Sequence, residues 1–123
     1  MAKVVHFEIP VDDPQRAVAF YRDAFGWEIN SFGGQQYWLV RAGEDDEPGA
    51  NGALVSRGAV HQSPVLIAGV EDLDEFLAQV ERCGGKTIQA KMPVPGVGWS
   101  AYILDPEGNT IGLFQADTNA PGG

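Results

Sequence analysis

The chain reads as an α+β protein of two pseudo-symmetric β-α-β-β-β modules, and three observations carry that reading. Val11-Asp12-Asp13, ahead of an amphipathic stretch closing at Gly26, returns 59 residues later as Val70-Glu71-Asp72 ahead of a stretch closing at Gly84-Gly85. Counted from Asp13 and Asp72, apolar or small residues recur at the same helical spacing. They are Pro14, Ala17, Val18, Tyr21 and Ala24 in one copy and Leu73, Phe76, Leu77, Val80 and Cys83 in the other; each set lines one helical face. Each stretch is also preceded by a β-like run and followed by further strand-like segments with short, antiparallel-type connections. The expected architecture is a cupped mixed sheet around a cleft, with the helices outside. The first module is expected over about 1–58, the second over about 62–115, and a flexible tail over 116–123.

The elements follow in order. Val4 to Ile9 is a strand. Asp13-Pro14 is an N-cap followed by proline at the first helical position, where a missing N–H costs nothing, so the first helix runs from Pro14 to Phe25. Trp27 to Ser31, Gln36 to Arg41 and Asn51 to Ser56 complete the first module, with a polar loop at 43–49. Val65 to Val70 opens the second. Asp72 and Glu75 have capping-box spacing, which starts a helix over Leu73 to Cys83, and Gly26 and Gly84 end the two helices. Lys86 to Ala90, Trp99 to Leu104 and Thr110 to Gln115 are the remaining strands, with a Pro- and Gly-punctuated loop from Met92 to Gly98.

Composition narrows the partners. Eight Lys and Arg against 17 Asp and Glu give a net charge of −9 and a pI near 4.4, which disfavours nucleic acid and anionic membranes. There is no 18-residue apolar run, so a cytoplasmic protein is expected. The single cysteine, Cys83, cannot pair within the chain and is read as a buried small hydrophobe on its helix.

Three segments carry a family resemblance: His6-Phe7-Glu8-Ile9-Pro10-Val11-Asp12-Asp13, then Arg16 to Tyr21 with Phe25-Gly26-Trp27, and Asp105-Pro106-Glu107-Gly108-Asn109-Thr110-Ile111-Gly112. Together they span both modules and resemble the vicinal oxygen chelate superfamily, which includes glyoxalase I, bleomycin-resistance proteins and extradiol dioxygenases. The resemblance implies the fold, but that fold hosts isomerases, dioxygenases, thiol transferases and pure binding proteins. Its metal-dependent members place four ligands on the inner strand faces. His6 matches the first of these. The other matching places fall at Val65 (or its neighbours Pro64 and Leu66), near Gly52, and at Gly112, and none of these residues has a side-chain donor. The resemblance therefore implies a member without the usual metal site. His6 is the one matching ligand, and no cofactor is expected. A divalent metal would need a nonstandard set drawn from His6, Glu8 and His61.

Two classes of function remain. One is a metal-independent protein that binds a small aromatic or cationic molecule in an aromatic-lined cleft, with Trp38, Trp99, Tyr102 and Phe114 as wall residues. The other is a lyase or isomerase, or an enzyme with dioxygenase-like activity, in which Glu8 or His6 transfers a proton. His6 and Glu8 project from the same strand face, and Glu8 paired with His6 or Arg16 is the purely structural alternative. Tyr21, Trp27 and Phe76 are expected under the helices. A homodimer is expected, since open sheet edges and apolar faces are normally covered.

Overall fold

Ten elements form in the order the repeat predicts. The structure, a computed structural model, describes residues 1–33 and 36–122. The first β-α-β-β-β run comprises β1 (Lys3–Val11), α1 (Pro14–Phe25), β2 (Glu28–Ser31), β3 (Tyr37–Arg41) and β4 (Asn51–Ser56). The second comprises β5 (Val65–Gly69), α2 (Leu73–Arg82), β6 (Lys86–Val94), β7 (Gly98–Leu104) and β8 (Thr110–Ala116). Two compact units result. One is Val5–Val65; the other begins at Leu66 and includes Met1–Val4. The boundary thus falls a few residues later than the 58–62 junction expected from sequence, and the segment carrying His61 belongs to the first unit.

The two units share one strand order. In the first it is β2-β3-β4-β1, and in the second β6-β7-β8-β5. β1 runs parallel to β4, with His6 opposite Asn51 and Glu8 opposite Ala53; the β2–β3 and β3–β4 pairs are antiparallel. Likewise β5 is parallel to β8, and the β6–β7 and β7–β8 pairs are antiparallel. Strand β6 extends through Val94, so Met92–Val94 is strand rather than loop, with two register irregularities along it.

Each helix begins as its sequence specifies. The Asp13 carboxylate accepts from the Arg16 N–H at 3.2 Å and that of Asp72 from the Glu75 N–H at 3.1 Å, which satisfies donors that have no partner inside the helix. Gly26, in the left-handed region at φ 71°, closes α1. Beneath α1 lies a core of Val11, Ile29, Val40 and Leu54, with Phe7, Ile9, Ala17, Val18, Tyr21, Trp27 and Trp38 packed against it. Beneath α2 lie Ala68, Leu73, Ala101, Ile103 and Leu113, with Phe76, Leu77, Val80 and Trp99 around them. Tyr21, Trp27 and Phe76 therefore lie under the helices as expected.

Two expectations about the second unit are corrected. Cys83 is exposed because it is the residue that caps α2, at the end of the apolar stripe rather than under it. The segment after β8 is tied down rather than loose as far as Ala120. Asp117 N–H donates to the Val97 carbonyl, Gly96 N–H donates to the Ala120 carbonyl, and Ala120 is buried.

Candidate functional site

Alternation along a strand decides which residues can meet. In β1, Phe7, Ile9 and Val11 face α1, which leaves His6, Glu8 and Pro10 on the opposite face. In β3, Trp38 and Val40 face α1, so Tyr37 shares the face of His6 and Glu8. There the three side chains join. The Tyr37 hydroxyl donates to Glu8 Oε2 at 2.8 Å, and His6 Nε2 lies 3.0 Å from the same hydroxyl.

His61 completes the set from the turn after β4. Gly58 and His61 exchange backbone hydrogen bonds of 3.2 and 3.1 Å. Arg57 anchors that turn: its guanidinium donates to Asp12 Oδ1 at 2.9 Å and to the Gln62 carbonyl at 2.8 Å, while its N–H donates to the Val11 carbonyl. Thus held beside β1, His61 Nε2 lies 2.6 Å from Glu8 Oε1. The result is a continuous line, His6–Tyr37–Glu8–His61. Glu8, only 3% exposed, receives Tyr37 and His61 on separate carboxylate oxygens, and buried charge is tolerable only when partnered in this way.

The electrostatics follow from burial. Burial holds the His6 imidazole below its usual value, opposed by the negative charge of Glu8. Burial also pushes the Tyr37 hydroxyl far above its usual value, reinforced by the charge of Glu8 and by the bond donated to it. His6 is accordingly neutral and Tyr37 protonated near neutral pH.

His6 and Glu8 share one strand face as alternation predicts, and they meet through Tyr37, whose part in the site no sequence signal marks. Of the two partners offered for Glu8, His6 or Arg16, His6 is linked to it through the Tyr37 hydroxyl, and Tyr37 and His61 rather than Arg16 are its hydrogen-bond partners here. Of the proposed aromatic wall, Trp38 and Trp99 belong elsewhere. Trp38 packs on the α1 core. Trp99 packs on the α2 core, its indole N–H donating to Asp117 at 3.0 Å and Lys91 lying 4.6 Å above its ring. Tyr102 and Phe114 alternate with α2-facing residues and so lie on the other face of β7 and β8.

The residues do not fit the four-ligand metal centre of the superfamily's metal-dependent members. His6 Nε2 and both Glu8 oxygens are already engaged. Gly52, expected near a ligand place, lies in register with Val40 on the α1 side. A Cβ there would come within 2.5 Å of the Phe7 ring and carbonyl, while on the His6 face its neighbours are Asn51 and Ala53. At Gly112 the space beside the backbone is taken by Ile67, 2.9 Å from a built Cβ. Among the described residues no group of three or more His, Cys, Asp or Glu could hold a metal.

Comparison with known proteins agrees with this architecture. Residues 3–41 match the bleomycin resistance protein-like N-terminal family. Over 111 residues, 88% of this chain, the sequence is 33% identical to the candidate glyoxylase CFP32 of Mycobacterium bovis, and equally to that of Mycobacterium tuberculosis. The chain spans 42% of the length of these curated relatives. Among solved structures, a glyoxalase/bleomycin resistance protein/dioxygenase superfamily member from Vibrio splendidus superposes with a TM-score of 0.67 at 14% identity, covering 95% of this chain and 100% of that one. A methylmalonyl-CoA epimerase from Streptomyces coelicolor gives 0.67 at 16% identity, covering 99% of each chain. Motif, relatives and fold together agree with the resemblance to the glyoxalase/bleomycin resistance/dioxygenase, or vicinal oxygen chelate, superfamily, whose fold this chain has.

Proposed function

We propose that the chain is a metal-independent small-molecule-binding member of this superfamily, with His6, Glu8, Tyr37 and His61 as its polar anchor. The observation that carries the reading is that Glu8 is buried with both oxygens engaged by protein groups, so its charge is stabilised without a metal ion. In the second unit, Tyr102 and Phe114 are the aromatics proposed to touch a ligand, now without Trp38 and Trp99. A cytoplasmic homodimer is proposed as the assembled form, with sedimentation expected at twice the 13.2 kDa chain mass. Among the described residues no helix is long and apolar enough to cross a membrane.

The test has two arms. Elemental analysis after tag-free purification without chelators is expected to find no stoichiometric metal. A screen of neutral and cationic aromatic compounds by thermal shift is expected to give hits that weaken in Glu8→Gln. One equivalent of metal per chain, lost in His6→Ala, would overturn metal independence.

A second reading, proton-transfer catalysis of lyase or isomerase type, is favoured by the continuity of the His6–Tyr37–Glu8–His61 line. Titratable groups in direct hydrogen-bond contact can pass charge along their length. The glyoxylase designation of CFP32 belongs to that protein, and it is the reason to assay this chain for turnover as well as for binding.

A further inference from the structure

We infer that Tyr37 locks His6 in the Nε2–H tautomer, so that His6 presents the bare Nδ1 lone pair to a ligand and selects molecules that bring an O–H or N–H donor. This deepens the small-molecule reading above and rests on it.

The available protons fix the tautomer. A phenol carries one hydroxyl proton, and Tyr37 commits it to Glu8 Oε2 at 2.8 Å, since a carboxylate can only accept. His6 Nε2 lies 3.0 Å from the same phenolic oxygen, so the proton in that contact must come from the imidazole. A neutral imidazole has a single N–H, and once it is placed on Nε2 the Nδ1 atom is an acceptor. The assignment follows from the network, as tautomers must. Burial supports the neutral form by holding the imidazole below its usual value.

Nδ1 is also reachable. Among the described residues it has no hydrogen-bond partner, and no described side-chain nitrogen or oxygen is both buried and unpartnered. Nδ1 therefore opens to solvent, while Nε2 is held by Tyr37. At the one position where the resemblance implies a metal ligand, this chain offers instead a hydrogen-bond acceptor of fixed direction. An unprotonated nitrogen held this way rewards a donor and leaves an ether or a tertiary amine of the same shape without a partner.

The chain has two histidines, so their ring nitrogens can be assigned in long-range 15N–1H correlation spectra by comparing the native protein with His6→Gln. At pH 7.5 the expected pattern for His6 is a protonated Nε2 and a pyridine-like Nδ1. The opposite tautomer, or an imidazolium, overturns the inference and leaves the small-molecule reading intact. The same spectra are then followed during titration with phenol and with anisole, which share a ring but differ in the donor. Phenol is expected to move the Nδ1 resonance and to bind at least tenfold more tightly than anisole, a difference that should vanish in His6→Phe. Equal binding of the two probes by the native protein overturns the donor assignment alone, whereas binding of neither overturns the small-molecule reading too.

Discussion

Tyr37 is the residue on which the polar line depends, because its one oxygen meets both His6 and Glu8. Tyr37→Phe keeps the ring but removes a donor from a buried carboxylate. A hydrogen bond to a charged group contributes about 1.5–3 kcal/mol, so urea unfolding at pH 7.5 is expected to show a loss of about 2 kcal/mol. A loss under about 0.5 kcal/mol would mean that Glu8 recruits another donor. His6 makes a separate prediction in pH. Its folded value lies below its ordinary value, so between the two the unfolded chain binds more protons, and stability rises with pH through that window. The contribution is complete above the ordinary imidazole value of about 6.5 and falls as pH drops from there towards the folded value. Urea midpoints measured from pH 7.5 downward should therefore decline for the native protein and decline less for His6→Gln; equal slopes would sink the assignment.

At the scale of elements, β4 is constrained by its neighbour. Gly52 has no room for a side chain beside Phe7, so Gly52→Ala is expected to cost about 1–3 kcal/mol through forced shifts in a packed region, read as a lower thermal midpoint. An unchanged midpoint would show that β1 and β4 separate easily. The Arg57 turn makes a prediction of its own. Arg57→Ala removes contacts to Asp12 and Gln62, and the His61 ring signals are expected to shift and broaden while those of α2 stay in place. The helices were legible in the sequence because caps and a 3.6-residue apolar period are local signals, and the strands because short apolar runs sit between turn residues. Strand alternation separated Trp38 from Tyr37 but could not say which face lay under α1. Both faces of β3 carry large apolar or aromatic residues, and only packing against α1 distinguishes them. In β7 the company of Trp99 was more telling, since Ala101 and Ile103 share its face and are core-like. The meeting of Glu8 and His61 spans 53 positions, and no period or spacing rule reports a contact made by a turn folding back on a distant strand.

For the molecule as a whole, acid sensitivity is distributed by unit. Asp105 and Asp117 are held below the usual carboxylate range, Asp105 by the Asn109 backbone and side chain and Asp117 chiefly by the Trp99 indole. Both belong to the second unit. Because folding depresses these values, their contribution is present above the ordinary aspartate value and disappears as pH falls through the depressed one. Stability measured against pH is thus expected to show two declines, one near the histidine range and one in strong acid. In Asp117→Asn the second should be smaller while the first is unchanged, and loss of both together would mean that the two regions do not titrate independently. The repeated strand order has a wider consequence. On the face away from its helix the first β-α-β-β-β run holds His6, Glu8 and Tyr37, whereas the matching strands of the second run hold Val65, Ile67, Gly112, Tyr102 and Phe114. After a duplication, a copy relieved of ionisable duties answers to selection for shape alone, and the two halves then inherit different freedoms. Saturation mutagenesis scored for ligand binding should find positions 6, 8 and 37 intolerant even of isosteric exchange, while positions 65 and 67 accept any apolar residue of similar volume.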